Sequence, residues 1–200
     1  MGTALVILLA LLSGAGLLAL FLIGKYNGLV ALGNRYKNAF SQIDIQLKRR
    51  YELISNLVEI ANDNLQRERE TLAPVVSARN LAYSASAKAA ANPGEPKAMG
   101  DLIGVEAGLN GALGRLFTMV EAYPDLKTNQ SMHQLSEDLA STENKISRAR
   151  KAYNEAVMAY NTQRAVFPAS IIASVFHFPA AEPWQIRNAV EKETPKASLT

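Results

Sequence analysis

The chain has 200 residues, of which 48% are hydrophobic and 20% charged, and its formal net charge is +3. This mild basic excess, without interleaved aromatic residues, argues against nucleic-acid binding. The absence of cysteine excludes disulfides, thiolate metal sites, a cysteine nucleophile and lipid attachment through cysteine. The chain is long enough for about one ordinary domain in addition to an uncharged apolar stretch near its N-terminus.

The first apolar stretch predicts a membrane anchor. Residues 5–23 carry no charge, and with one residue added at each end they form about 30 Å of helix, enough to cross the hydrocarbon core. A cleaved signal peptide is the alternative, but no basic residue precedes the stretch, which is also longer than a typical signal-peptide hydrophobic region. The side chains expected in the bilayer include Leu5, Leu12, Leu18, Phe21 and Ile23.

Positive charge after the anchor predicts its orientation. Basic residues follow the apolar stretch closely, whereas none precedes it. The positive-inside rule then predicts a single-pass protein of the bacterial inner (cytoplasmic) membrane, with the N-terminus outside and the following domain on the cytoplasmic side. The side chains expected at the membrane interface are Lys25, Tyr26, Arg35, Lys37, Phe176, Phe178 and Trp184.

Four long amphipathic helices are predicted after the anchor. In each of them apolar residues recur at the three- and four-residue spacing of a helix that buries one face, in a coiled-coil-like pattern. The helices are expected over about residues 26–66, 71–91, 101–123 and 129–163. The predicted fold class is therefore all-α, with an N-terminal transmembrane helix followed by an antiparallel up-down-up-down four-helix bundle of long helices.

Two details of these helices need a separate explanation. Pro74 suits the first turn of the second helix with Thr71 as its N-cap, although one long kinked helix across this point is the alternative. Four glycines lie between residues 104 and 114 of the third helix, where each costs about 1 kcal/mol relative to alanine. We expect a close approach of a neighbouring backbone as compensation, the alternative being a weak helix.

A short apolar segment follows the bundle. It lies behind Pro168, contains Ile171, Val175 and Phe176, and is too short to span a bilayer. It can form either an interfacial foot lying on the membrane or a cap over the end of the bundle. The predicted division of the chain is an anchor (1–25), a helical bundle (26–165), this membrane-proximal segment (166–186) and a disordered polar tail (187–200).

Signals for catalysis and metal binding are weak. His133 and His177 are far apart, and neither has a second ligand at metal-binding spacing. The residues three positions before them are Gln130 and Ser174, so the Glu-x-x-His pairs of di-iron bundles are absent. We therefore expect no enzymatic activity, no catalytic residue, no metal and no other cofactor.

Polar residues on three of the helices form the most distinctive constellation. The pairs Tyr153-Asn154 and Tyr160-Asn161 are seven residues apart and so share one helix face. We interpret the set as a buried network that fixes helix register, and a cleft for a ligand or peptide is the alternative. Its predicted members are Arg49, Arg50, Asn56, Glu121, Glu143, Asn144, Arg150, Tyr153, Asn154, Tyr160 and Asn161.

Several ordered sequence blocks resemble the LemA family of bacterial membrane-anchored proteins. They are Tyr26-Asn27 with Leu29-Val30, QLKRRYELISNLV, GALGRLFTMVEAYPDLKTNQ, TENKISRARKAYNEAVMAYNT and Phe167-Pro168. Ser55 stands where the family usually has proline, which predicts a straighter helix there. The resemblance implies an N-terminal membrane helix and a helical bundle, and it implies little about activity. It also implies a link to magnetosome membranes, because the family includes magnetosome-membrane members, and to a membrane metalloprotease, with which LemA-like proteins are often associated.

Two functions fit these observations. The first is a non-enzymatic, membrane-anchored scaffold that self-associates, with Gly14 and Gly16 as a small-residue contact between anchors, and that organises a membrane or assists another membrane protein such as a metalloprotease. The second is a ligand- or peptide-sensing bundle module at the membrane. The expected partners are the lipid bilayer, further copies of the chain and, for the scaffold, another membrane protein, but no nucleic acid.

Overall fold

The computed structural model describes residues 2–64 and 69–185, and their regular secondary structure is entirely helical. The predicted all-α class is therefore confirmed for these residues. The helices are α1 (Gly2–Asn64), α2 (Arg69–Ala91), α3 (Pro96–Ala122), α4 (Pro124–Lys127), α5 (Gln130–Ala165) and α6 (Ala169–Val175). The tail predicted to be disordered, 187–200, lies outside the described residues.

Helix α1 joins the apolar stretch to the helical domain without a break. Its 63 residues correspond to about 95 Å of helix. Residues 2–24 are all exposed, and α1 is the one helix among the described residues that is long and apolar enough to cross a membrane. Helical backbone continues through Ser55, whose hydroxyl donates to the Tyr51 carbonyl at 3.0 Å, as expected where proline is absent.

The second half of α1 lies at the centre of the core. Helices α2 and α5 pack directly on it, and α3 packs on α2. Tyr36 of α1 contacts Tyr160 of α5, with 5.1 Å between the ring centroids. Further along α1, Arg50 meets Glu143, which comes earlier in α5. The contacts along these two helices therefore run in opposite order.

The starts of α2 and α3 differ from the predicted ones. Thr71 is not an N-cap, because helical backbone already begins at Arg69 and Pro74 lies inside α2. Residues 65–68, which would distinguish two helices from one kinked helix, lie outside the described residues. Helix α3 begins earlier than predicted because the Glu95 carboxylate accepts hydrogen bonds from the backbone N–H groups of Lys97 and Ala98.

The predicted close packing at the α3 glycines is wrong. A β-carbon placed on Gly104, Gly108 or Gly114 would meet no described atom within 4 Å apart from those of its own stretch of helix. The reason is the orientation of the helix, because α3 buries the opposite face through residues such as Leu109 and Leu116. The glycines therefore form an open strip on the surface of this chain.

The chain turns back over the anchor end of the domain after α5. Helix α6 packs on α1 and α5, and its Ala169, Ile172 and Ala173 form a small cluster with Leu29 of α1. Residues 178–185, which we call the strap, then run in extended form along α5, away from the anchor. The segment after the bundle thus comprises a short helix and a docked strap.

Candidate functional site

Charged side chains from three helices meet inside the domain around Arg50. The Arg50 guanidinium donates from Nη1 to Oε2 of Glu106 at 3.0 Å, and the same nitrogen lies 3.1 Å from Oε2 of Glu143. Its Nη2 donates to Oδ1 of Asn110. Arg50 and Glu106 are only 5% and 2% exposed, so this guanidinium joins α1, α3 and α5 within the core.

Tyr51 completes the surroundings of Glu106. Its fully buried hydroxyl lies 2.6 Å from Oε1 of Glu106 and 3.2 Å from the Ala82 carbonyl, and the shorter contact is to the carboxylate. Burial raises the pKa of Tyr51, so the phenol stays neutral and remains a donor. Burial also raises the pKa of Glu106, while the Tyr51 hydrogen bond and the Arg50 charge oppose that rise. Glu106 is therefore a buried acid whose charge depends on these two partners.

Arg150 connects the Arg50 cluster to the strap. Its Nη2 lies 3.8 Å from Oε1 of Glu143, and its guanidinium stacks over the Trp184 ring at 4.7 Å from the centroid. Burial lowers the pKa of Arg150, with the Glu143 charge opposing the change. The cation thus lies between the Glu143 carboxylate and the aromatic end of the strap.

Four of the predicted network residues are exposed and do not take part in this cluster. They are Arg49, Asn56, Glu121 and Asn144. Arg49 illustrates the cause, because one residue along a helix is a rotation of about 100°, which turns it away from the face that buries Arg50.

Glu106 and Asn110 take part although neither was among the predicted network residues. Glu106 carries a signal in the sequence, since Leu102, Glu106, Leu109 and Leu113 follow the spacing of one buried face. A charged residue inside such a stripe requires a buried partner.

Asn154 and Asn161 hold the strap by its backbone. The Asn161 side chain donates to the Ala181 carbonyl at 2.8 Å and accepts from the Ala181 N–H at 3.0 Å. Asn154 makes the same pair with Trp184, at 3.0 and 2.7 Å. Seven helical residues rise about 10.5 Å and three extended residues span about 10 Å, so the two asparagines match the strap in register.

Tyr153 and Tyr160, each one residue before an asparagine on α5, repeat this register two residues earlier on the strap. Tyr153 donates to the Glu182 carbonyl at 2.7 Å, and Tyr160 donates to the Pro179 carbonyl at 2.8 Å. The two tyrosine–asparagine pairs of α5 therefore bind the strap, whereas Arg50, Glu143 and Arg150 form the charged cluster. Seven of the eleven residues predicted as one network are thus divided between two neighbouring sites.

The residues predicted at the membrane interface lie in different places. Tyr26 contacts Phe176 and Phe178, with 5.0 and 5.5 Å between ring centroids, beside the end of the apolar stretch. Lys25 lies over the Phe21 ring at 5.4 Å. The two remaining basic residues, Arg35 and Lys37, are exposed further along α1.

The predicted interfacial position of Trp184 does not agree with the structure. Trp184 is only 5% exposed, and its backbone is held by Asn154. The neighbouring Tyr153 packs on Phe40, about 20 Å of helix beyond Tyr26. The strap carries the indole into the core because it runs along α5 away from the anchor.

Comparisons with known proteins identify the family of this chain. The LemA family model matches residues 39–198. Magnetosome proteins MamQ 1 and MamQ 2 of Paramagnetospirillum magneticum are each 26% identical over 183 residues, which cover 84% of this chain and 67% of theirs. Magnetosome protein MamQ of Magnetospirillum gryphiswaldense is 25% identical over 176 residues, which cover 80% and 65%. Because the family model covers most of the chain, the protein belongs to the LemA family.

Proposed function

We propose that this protein is a non-enzymatic, single-pass membrane scaffold that self-associates and organises a membrane or assists another membrane protein, such as a membrane metalloprotease. The main observation in support is α1, in which residues 2–24 are uncharged, mostly apolar and exposed while the same helix continues as the centre of the core. An exposed apolar helix of this length is costly in water and matches the hydrocarbon thickness of a bilayer.

The proposal includes the up-down-up-down bundle and its orientation. Opposite contact order along α1 and α5 supports antiparallel packing of these helices. The basic residues after the apolar stretch support a bundle on the cytoplasmic side of the inner membrane. The magnetosome proteins among its relatives are compatible with a role in organising a membrane.

Self-association through the anchor is the part of the proposal that mutation tests most directly. A β-carbon on Gly14 or Gly16 would meet no described atom within 4 Å apart from those of its own stretch of helix, so both glycines lie on open helix surface. Two residues correspond to about 200° around a helix, so the two glycines face opposite ways. Gly14→Leu and Gly16→Leu should therefore differ, with only one of them reducing the assembled fraction.

Light scattering of the full-length protein in mild detergent gives its mass and therefore shows whether each variant still assembles. Leu12→Ile and Leu18→Ile are matched controls, because they preserve apolar volume in the same segment and should leave the mass unchanged. An assembled mass that neither glycine variant reduces would contradict association through these glycines.

A ligand- or peptide-sensing module is the second candidate function. The specific observation is the pair of asparagines that recognise the backbone of an extended segment. Beside the strap lies a cleft of about 610 Å³, whose lining includes Lys151, Met158 and Gln185. Added peptide FPAAEPWQ, which has the strap sequence, should raise the melting temperature of the protein if the cleft accepts a peptide from another molecule. An unchanged melting temperature would count against a peptide-sensing role.

A further inference from the structure

Helix α6 is apolar on its open side as well as on its buried side. Ile171 is 55% exposed and Val175 64%, and their four-residue spacing places them along one side of α6. Phe167, which is 80% exposed, lies in the turn just before the helix. Phe176, 58% exposed, extends this surface. The side that contacts Leu29 is already buried. This segment therefore presents an apolar face, which we call the foot, defined by Phe167, Ile171, Val175 and Phe176.

The foot lies directly beside the end of the anchor. Phe176 packs edge-to-face against Tyr26, and Leu29 lies beneath α6 one helical turn further on. The apolar stretch of α1 ends at Gly24, with Lys25 following. The exposed apolar surfaces of anchor and foot are therefore continuous, at the level where a bilayer spanned by α1 would have its interface.

Charge and backbone bonding around α6 also suit an interface. Residues 165–181 include no Asp, Glu, Lys or Arg. The Phe178 N–H donates to the Ala173 carbonyl at 2.9 Å, and Arg164 donates to the Phe178 carbonyl at 2.7 Å. Moving α6 into a partly dehydrated region therefore buries no Asp, Glu, Lys or Arg side chain, and the Phe178 N–H and carbonyl groups keep their hydrogen-bond partners.

We propose that the foot inserts into the phospholipid interface beside the anchor, as a second and monotopic membrane contact. The inference rests on the proposed function, because it requires α1 to span the bilayer. Apolar insertion of a short helix face is a known mode of interfacial binding. With two contacts the membrane fixes the rotation of the bundle about the anchor, so that its other faces point in set directions.

Single-cysteine labelling of the full-length protein tests this assignment, because the chain has no cysteine. Ile171→Cys carries an environment-sensitive fluorophore on the foot, and Val175→Cys is a second position should the first variant fold poorly. Met158→Cys is the matched control, since Met158 is 66% exposed on α5 away from the anchor. Leu12→Cys marks the anchor. The protein is placed in nanodiscs at one copy per disc, with shallow nitroxide-labelled phospholipids as quenchers.

Lipid-borne quenchers should quench the foot label several-fold more than the Met158 label, and its emission should shift to the blue. Quenching at Leu12 but not at either foot position would overturn the foot and leave the anchor intact. Absence of quenching at all positions would overturn both the foot and the proposed anchoring. A foot label that is shielded from aqueous iodide but not quenched by lipid would assign the face to protein packing instead.

Discussion

Loss of Arg50 should destabilise the domain strongly. Arg50→Leu would leave Glu106, 2% exposed, without its charged partner. Breaking a buried pair in this way costs about 3–5 kcal/mol of unfolding free energy. Urea denaturation of the protein in mild detergent measures the change.

Arg49→Leu is the control for this prediction, because Arg49 is adjacent but exposed and should change stability by less than about 0.5 kcal/mol. Glu143→Leu should cost less than Arg50→Leu, since the Glu143 side chain is 43% exposed and solvent weakens its pairing. Equal effects of Arg49→Leu and Arg50→Leu would contradict the buried-pair account.

Glu106 should make stability depend on pH. Its pKa in the folded chain is raised above the ordinary value of 4.5, mainly by burial. The folded chain then holds the Glu106 proton more firmly than the unfolded chain, so the free energy of unfolding falls as the pH rises from 4.5 to the raised pKa. Above that pKa the contribution is constant.

Comparison with Glu106→Gln isolates this effect, because the amide does not titrate. The unfolding free energy of the natural protein minus that of the variant should decline with rising pH through this window, measured by urea denaturation at a series of pH values. A difference that stays level throughout would show that burial does not raise the Glu106 pKa.

Asn161 should control how firmly the strap is held. Asn161→Ala removes the acceptor of the Ala181 N–H and the donor to its carbonyl, a loss of about 1–3 kcal/mol. Hydrogen–deuterium exchange at the Ala181 amide should therefore accelerate, while the Trp184 amide, held by Asn154, should change less. Asn144→Ala, on the exposed side of α5, is the control and should leave both exchange rates unchanged. Unchanged rates in Asn161→Ala as well would show that other contacts hold the strap.

The long helices were largely predictable, whereas the strap was not. Helix α5 spans Gln130–Ala165 against a predicted 129–163, because apolar periodicity marks a long amphipathic helix clearly. The repeated tyrosine–asparagine pairs predicted a shared face of α5 but did not show which segment binds to that face. Residues 178–185 have no periodic pattern, so their docking depends on tertiary contacts that local sequence does not encode. The buried position of Trp184 follows from that docking.

Two other predictions show the same limit of local reasoning. The glycines of α3 suggested close packing, but their cost does not indicate which face meets a neighbour, and the structure leaves them open. Arg50 required a buried partner by its position, yet pairing with Glu106 depends on how α3 lies across the core. Sequence periodicity thus predicts which faces are buried more readily than which residues meet.

At the scale of the whole molecule, the continuity of α1 links the proposed anchor to the core. One helix of about 95 Å carries the exposed apolar residues at one end and the fully buried Ile43, Leu47 and Tyr51 further along. None of residues 2–24 is buried against the rest of the chain. Removing them should therefore leave the folded core intact while abolishing association through the anchor.

The particle size and shape of the full-length protein in mild detergent, set beside a chain that begins at Lys25, tests the scaffold most directly. Single-particle imaging should show a discrete assembly of several copies for the full-length protein and a single copy for the shortened chain, with equal helical content by circular dichroism. If both proteins are single copies, the proposed association through the anchor is wrong, and the scaffold proposal loses its main support.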